Sequence, residues 1–306
     1  MGPTATGKSS LALEVAEILN TQAGLFEIVS ADSMCVYRHM NIGTAKVSTH
    51  DQTRIPHHII DVIDPDQEFS VSQYQQLAKA SIREIESRMG NVIVVGGTGL
   101  YVRSVVDPLE IPGRWPLIRT ELEDELVTSG EARLYTRLKQ ADPLAASRIE
   151  PTNSRRVIRA LEVVMGAGRP FSSFGPGLET YMDSEFLQIG LDLSNEELDR
   201  RIEGRLDQQL RDGFVEEVAQ IRAQGFEFSR TALKALGYSE ICGVLSNKTS
   251  LEQAREAILN KTKKFARRQR KWFRRDPRIC WLVGSYSSAQ VSNELLKAQA
   301  TQCEGS

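Results

Sequence analysis

Two periodicities share this chain. Short apolar runs ending in small or acidic residues occupy Phe26–Ala31, His58–Ile63, Val92–Val95, Phe186–Leu191 and Ile279–Val283. Runs of that length read as strands buried on both faces, the pattern of a parallel sheet. Ser9–Leu19 and Ser72–Met89 instead carry apolar residues at three- and four-residue spacing, the stripe by which a helix packs on a sheet. The expected core is therefore α/β. Between Pro112 and Asp183 the strand signal disappears, and Pro116–Thr128, Glu131–Gln140 and Ser154–Met165 read as charged helices, the last closed by Gly166, Gly168 and Pro170. Because strand-like text resumes at Phe186, a helical insertion over residues 113–183 is expected within a core made of residues 1–112 and 184–306. The text after Ser194 is mainly helical, with one long helix from Leu251 to about Arg274; the final residues, rich in Ser, Ala and Gln, are expected to fray.

Composition narrows the class. With 306 residues, 41% hydrophobic and 25% charged, the chain fits an ordinary globular protein with ample core. No stretch approaches the length of an apolar membrane span and no signal-like segment opens the chain, so a cytoplasmic monomer without a membrane partner is expected. Cys35, Cys242, Cys280 and Cys303 stand far apart with no CxxC pair, which points to free thiols and away from zinc or a disulfide framework. His57 and His58 are adjacent, and neighbours on a strand face opposite ways, so they read as structural and not as a metal pair.

Charge adds a feature that the mean conceals. The whole chain carries a net −2, yet Lys261–Arg275 holds nine cations and no acid, which leaves −11 on the rest. Such segregation indicates a local anion-binding face. On a helix, Leu259, Thr262, Phe265 or Ala266, Gln269, and Trp272 or Phe273 form one stripe. Most of the nine cations, Arg267, Arg268 and Lys271 among them, then lie on the other face to meet phosphates. Arg155, Arg156 and Arg159 form a smaller cluster that fits RNA phosphates from the insertion and fits a solvated helix face nearly as well.

The strongest local signal is Gly2-Pro3-Thr4-Ala5-Thr6-Gly7-Lys8-Ser9, a complete GxxxxGK[ST] loop that runs into an amphipathic helix. Glycines let the loop curl its N–H groups inward, and the helix N-terminus adds positive potential. Lys8 is placed to neutralise phosphate oxygens and Ser9 to hold Mg²⁺. The loop, Gly2 and Thr4 to Ser9, should bind a diphosphate, and the fold class becomes α/β with a P-loop NTPase-like parallel-sheet core and a helical insertion. Loops of this kind follow a buried strand, whereas only Met1 precedes Gly2 here; either chain lies upstream or the sheet edge is formed another way. Asp32 follows the Phe26–Ala31 run, at the carboxyl end of a strand where an open sheet keeps its ligand crevice. Gly96-Gly97-Thr98-Gly99 ends a second strand with a turn that lets backbone approach a ligand and offers the Thr98 hydroxyl.

These segments together resemble one known family. GPTATGKS, Ser30–Lys46 (SADSMCVYRHMNIGTAK), Pro56–Pro65 and Val95–Ser104, followed by Arg148–Val163, Arg201–Arg205, Lys234–Tyr238 (KALGY) and Arg267–Arg274, are similar to the signatures of the tRNA dimethylallyltransferases, also called tRNA isopentenyltransferases. Eight ordered blocks cover nearly the whole chain. The resemblance implies that the loop grips dimethylallyl diphosphate, with Mg²⁺ assisting, and that the prenyl group passes to N6 of the adenosine immediately 3′ of the anticodon. It makes Asp32 the general base, Thr98 a contact of the diphosphate or of the flipped adenine, and Arg205 a stabiliser of the leaving group. It also puts Ser33, Met34, Cys35, Lys234, Gly237 and Tyr238, with Asp32 and Thr98, among the residues that meet the tRNA anticodon stem-loop. A stacked base cannot reach such a site, so flipping is implied.

Three other classes compete. A small-molecule kinase would use the same loop for ATP but leaves the Gly96–Tyr101 turn and the basic helix without roles. An adenylate isopentenyltransferase acting on free nucleotides has little need of the insertion. A non-catalytic tRNA-binding module has no use for Asp32.

Overall fold

The computed structural model describes residues 1–304 except Pro176, Glu179 and Ser285, with side chains described as far as Leu296. The chain forms two compact units, one built from Met1–Val106 and the chain from Asp183 onward, the other from Asp107–Met182. In the larger unit the order is α1 (Lys8–Gln22), β1 (Phe26–Ser30), α2 (Thr49–Arg54), β2 (His57–His58), α3 (Val71–Ser87), β3 (Asn91–Val95) and α4 (Gly99–Val106). The smaller unit holds α5 (Pro116–Ala141), α6 (Pro143–Arg148) and α7 (Ser154–Ala167). The larger unit then resumes with β4 (Ile189–Asp192), α8 (Asn195–Arg211), α9 (Phe214–Ala223), α10 (Tyr238–Leu245), α11 (Leu251–Phe273), β5 (Cys280–Val283) and α12 (Ser288–Glu304).

All strand pairs are parallel, as β2-β1-β3 in one sheet and β4-β5 in another. Helices cover both faces, which is why these strands read as continuous apolar runs. On one face Ala12, Val15, Ala16 and Leu19 of α1 pack with Phe26, Ile28 and Val291. On the other, Val29 belongs to a core with Tyr74, Tyr101, Val102 and Phe214, in which Tyr74 and Tyr101 stack at 4.0 Å between ring centroids. Capping boxes at Ser70 with Gln73 and at Ser250 with Gln253 fix the starts of α3 and α11 by satisfying their first free amides.

Several expectations need correction. The run His58–Ile63 is a strand only over His57–His58, because Ile59 and Asp61 take left-handed backbone at φ 63° and 55°. The bent segment instead braces the loop after β1: the amides of Asp61, Val62 and Ile63 donate to the carbonyls of Cys35 and Val36. The run from Phe186 becomes strand only at Ile189. The two helices expected on either side of Gly130 are both present, as the two halves of α5, and non-helical backbone at Gly130, with φ 78°, separates them. The tail is helical from Ser288 to Glu304. The smaller unit begins at Asp107, earlier than the loss of periodicity at 113. Its first segment is tied in by Arg159, whose Nη2 donates to the Pro112 and Gly113 carbonyls, and by the Arg169–Glu110 ion pair. Cys35, Cys242 and Cys280 are free thiols, while the Cys303 side chain lies outside the described residues. No helix among the described residues is long and apolar enough to cross a membrane.

The carboxyl ends of β1 and β3 are pinned together. The Ala31 amide donates to Val95 O at 2.6 Å and the Thr98 amide to Ala31 O at 3.2 Å. A Cβ at position 96 would lie 2.1 Å from the Ala31 carbonyl oxygen, so glycine is required there by close approach of two backbones. Gly96→Ala must therefore separate the strand ends. It is expected to lower stability by about 1–3 kcal/mol, read as a lowered denaturation midpoint; an unchanged midpoint would show that the two ends are not in contact.

Candidate active site

The phosphate loop turns on glycines. Gly2 has φ 138° and Gly7 φ 83°, and Gly7 stands at the N-cap of α1. A side chain at position 2 would meet the Leu191 carbonyl at 2.3 Å. Within the loop, Thr6 Oγ1 donates to Pro3 O at 2.9 Å, and Lys8 folds back so that Nζ donates to the same carbonyl. Thr4, Ala5 and Lys8 are half-buried, while Gly7 and Ser9 are exposed at the mouth of the loop.

Three charges converge beside it. Arg205 reaches the loop from α8, with Nη1 donating to Thr4 Oγ1 at 3.2 Å. Burial pushes the Lys8 ammonium down to about 8; the Asp32 carboxylate opposes that shift and the Arg205 cation adds to it. The Arg205 guanidinium is lowered by burial as well, again opposed by Asp32. Two cations thus share one carboxylate in a partly dry setting. Asp32 itself closes a tight turn, its Oδ1 accepting from the Met34 amide at 2.8 Å. Thr98 Oγ1 accepts from the Ser33 amide at 3.1 Å and donates to Ser33 Oγ at 3.2 Å, so the turns after β1 and β3 form one wall. The structure therefore brings together Lys8, Asp32, Ser33, Thr98 and Arg205.

Other residues expected at a ligand surface have different places. Tyr238 is fully buried, and its hydroxyl donates to Glu217 Oε1 at 2.7 Å, so it cannot present a ring to RNA. Gly237 is buried at φ 97° because a Cβ there would meet the Phe214 ring at 2.6 Å. Of the KALGY residues proposed for RNA, only Lys234 is exposed. Cys35 is buried, and burial followed by the Asp32 charge pushes its thiol well above the usual range. Arg159 is spent inside the smaller unit, paired with Glu162 at 3.0 Å, whereas Arg155 and Arg156 are exposed. His57 Nδ1 lies 2.7 Å from Ile55 O and His58 Nε2 lies 2.6 Å from Glu27, so both are structural.

The basic helix α11 is less free than its sequence suggests. Lys261 pairs with Glu240, Lys263 and Arg267 with Asp199, and Arg270 and Arg274 with Asp192. Five of the nine cations are thus engaged by carboxylates on neighbouring elements. Lys264, Lys271 and Arg275 are exposed without a carboxylate partner among the described residues, and Arg268 lies over the Phe265 ring.

Two residues that hold the site were not read from the sequence. Gln269, on the buried side of α11, accepts from the Thr4 amide at 2.8 Å and donates to Gly97 O at 2.8 Å, bridging the phosphate loop and the Thr98 turn. Its signal was a polar side chain inside the apolar stripe. Glu217 accepts from the amides of Asn41, Ile42 and Gly43 at 2.7, 2.6 and 3.1 Å and so anchors the far end of the Asp32 loop. Nothing in the local pattern of α9 distinguishes it from a surface acid.

The chain is similar to known proteins over most of its length. A family model described as IPP transferase matches residues 35–276. The tRNA dimethylallyltransferase of Streptomyces avermitilis is 45% identical over 285 residues, 93% of this chain and 89% of that protein. That of Bifidobacterium adolescentis is 45% identical over 282 residues, 92% of this chain and 82% of that protein. Among solved structures, the tRNA isopentenylpyrophosphate transferase of Bacillus halodurans superposes with a TM-score of 0.69 at 32% identity, over 100% of this chain and 97% of that one. A eukaryotic dimethylallyltransferase acting on tRNA superposes with a TM-score of 0.74 at 25% identity, over 92% and 72% of the two chains. With a loop, a crevice and a basic helix of this kind, the chain belongs to the IPP transferase family.

Proposed function

We propose that the protein transfers the dimethylallyl group of dimethylallyl diphosphate to N6 of the adenosine immediately 3′ of the anticodon in tRNA, giving N6-isopentenyladenosine. The observation that carries the reading is the convergence of Lys8, Arg205 and Asp32 beside a phosphate loop in a chain of this family. An aromatic amine is a weak nucleophile, so the allylic C–O bond must be loosened from the leaving-group side. Lys8, Arg205 and the loop amides receive the charge that grows on the departing diphosphate, as groups already in place before reaction. The new bond joins the allylic carbon to N6. Asp32, at the end of β1, takes the N6 proton, and diphosphate leaves with the electron pair of the broken bond.

Mg²⁺ fits this site through the diphosphate. Ser9, exposed on the first turn of α1, would hold the ion through its hydroxyl beside the bound diphosphate, an oxygen-donor setting of the kind Mg²⁺ prefers. The ion would supply further neutralisation of the leaving group. For the tRNA, the exposed Lys264, Arg268, Lys271 and Arg275 of α11 and Lys234 meet backbone phosphates. Arg267 joins them only by giving up Asp199. Arg155 and Arg156 offer the same chemistry from the smaller unit. The protein works in the cytoplasm, where its tRNA substrate is found, as a monomer.

Three outcomes test this. tRNA treated with the protein and dimethylallyl diphosphate should yield, after digestion, an adenosine heavier by one prenyl unit, and labelled ATP should transfer nothing; modification of free adenine nucleotides alone would contradict the reading. Asp32→Ala should retain tRNA binding and lose about 10²–10⁴-fold in kcat, and a loss confined to KM for tRNA would remove its role as base. Lys8, held at about 8, is charged below that pH and neutral above it, so pyrophosphate affinity should fall as pH rises through 8. Lys8→Arg, charged throughout, should flatten that dependence once the ligand's own titration, common to both proteins, is subtracted. Parallel profiles for the two proteins would exclude Lys8 from the anion site.

A further inference from the structure

The phosphate loop and the Thr98 turn come from separate parts of the chain, and the side chain of Gln269 joins them. Gln269 stands on α11 with 8% of its surface exposed. Both ends of its carboxamide are used, Oε1 on the Thr4 amide and Nε2 on the Gly97 carbonyl, each at 2.8 Å. An acceptor and a donor on one planar group are what a bridge between a backbone amide and a backbone carbonyl requires. Each contact leads on to a group of the proposed reaction. Thr4 holds Arg205 through its hydroxyl at 3.2 Å, on the leaving-group side. Gly97 precedes Thr98, whose hydroxyl accepts from the Ser33 amide at 3.1 Å and whose own amide donates to Ala31 O at 3.2 Å. Asp32 lies between those two anchored residues.

The bridge stands on a fixed support. Arg270 Nε and Arg274 Nη2 donate to the Asp192 carboxylate at the end of β4, at 2.8 and 3.0 Å, and Arg270 Nη2 donates to Leu193 O at 2.7 Å. Three residues beyond Gln269, on the same face of α11, Trp272 packs against the same turn, where a Cβ at position 99 would lie 2.0 Å from its Nε1. Rotation or sliding of α11 would break these contacts. A Cβ at position 97 would lie 2.4 Å from Gln269 Nε2, so the bare backbone there is what lets the carboxamide reach the carbonyl. Burying a carboxamide costs desolvation that packing alone does not require, since an apolar side chain of the same length would fill the space.

We propose that Gln269 is a positioning residue for the transfer reaction: its carboxamide sets the span between the diphosphate seat and the Asp32 turn, and with it the alignment of the breaking C–O bond and the acceptor of the N6 proton. This rests on the functional reading given above. Pyrophosphate alone needs only the loop and Arg205, and tRNA alone needs only the exposed cations. Reaction needs the two sides at a fixed separation, and a misplacement of an ångström is enough to slow it severely. Gln269 therefore acts on kcat far more than on the binding of either partner.

Two variants of the whole protein cut the bridge from opposite sides. Gln269→Met keeps the length of the side chain and removes both hydrogen bonds. Gly97→Ala keeps Gln269 and drives its amide away, and because Gly97 is outside the left-handed region alanine adds no backbone strain. Each should lower kcat for tRNA about 10–100-fold, while the affinities for Mg²⁺-pyrophosphate and for tRNA change by less than about threefold. The double variant should lose little more than either single one, because both remove the same contact. Wild-type kcat in Gln269→Met, losses that multiply in the double variant, or parallel losses in kcat and both affinities, as a merely structural role would give, would overturn the proposal. If Gln269→Met fails to fold by circular dichroism, Gly97→Ala decides by the same kcat and affinity outcomes. Transfer by the wild-type protein together with an unchanged variant removes the positioning role alone. No transfer to tRNA by the wild-type protein removes the functional reading, and this proposal with it.

Discussion

Two partly desolvated cations within the field of one carboxylate set the terms for the larger unit. Lys8 and Arg205 are both disfavoured in their charged forms by burial, and Asp32 opposes that shift for each. Taking charge out of water is expensive unless opposite charge is close. In the proposed reaction a diphosphate ester would bring negative charge to this place, and its leaving group would carry more charge at the transition state than the bound ester does. The same imbalance that destabilises the free site thus becomes a preference for the reacting state, which is the condition for raising turnover as well as affinity.

Holding such a site requires backbone to be fixed by polar side chains from elsewhere in the fold. Gln269 ties the Thr4 amide to the Gly97 carbonyl, and Glu217 gathers three successive amides at the far end of the Asp32 loop. Gln269 stands on the buried side of the helix whose exposed side carries Lys264, Arg268 and Lys271. One helix therefore serves the phosphate loop with one face and presents cations with the other. That division explains why its charges segregate along the chain.

The parts legible in the sequence are those with a local cause. The phosphate loop has a fixed spacing, the strands β1, β3 and β5 are short apolar runs, and α11 has a clear stripe. Asp32 and Thr98 were placed by their positions after strands, and Arg205 by family resemblance. What the sequence did not disclose depends on distant partners. The bend at Ile59 and Asp61 follows from hydrogen bonds to Cys35 and Val36, which no run of apolar letters encodes. Tyr238 is a tRNA contact by family resemblance until Glu217 and Phe214 are seen around it. The basic helix reads as a free cationic face until Asp192, Asp199 and Glu240 arrive from other elements.

In the proposed site the phosphate loop and Arg205 together form the seat of a diphosphate, with Asp32 nearby. A crystal structure of the protein with pyrophosphate and Mg²⁺ tests this most directly. The anion should be cradled by the amides of Thr4 to Ser9, with Lys8 Nζ turned from the Pro3 carbonyl to a phosphate oxygen and Arg205 on the same group. Pyrophosphate lodged on the exposed cations of α11, or an Asp32 carboxylate walled off from the anion, would contradict it.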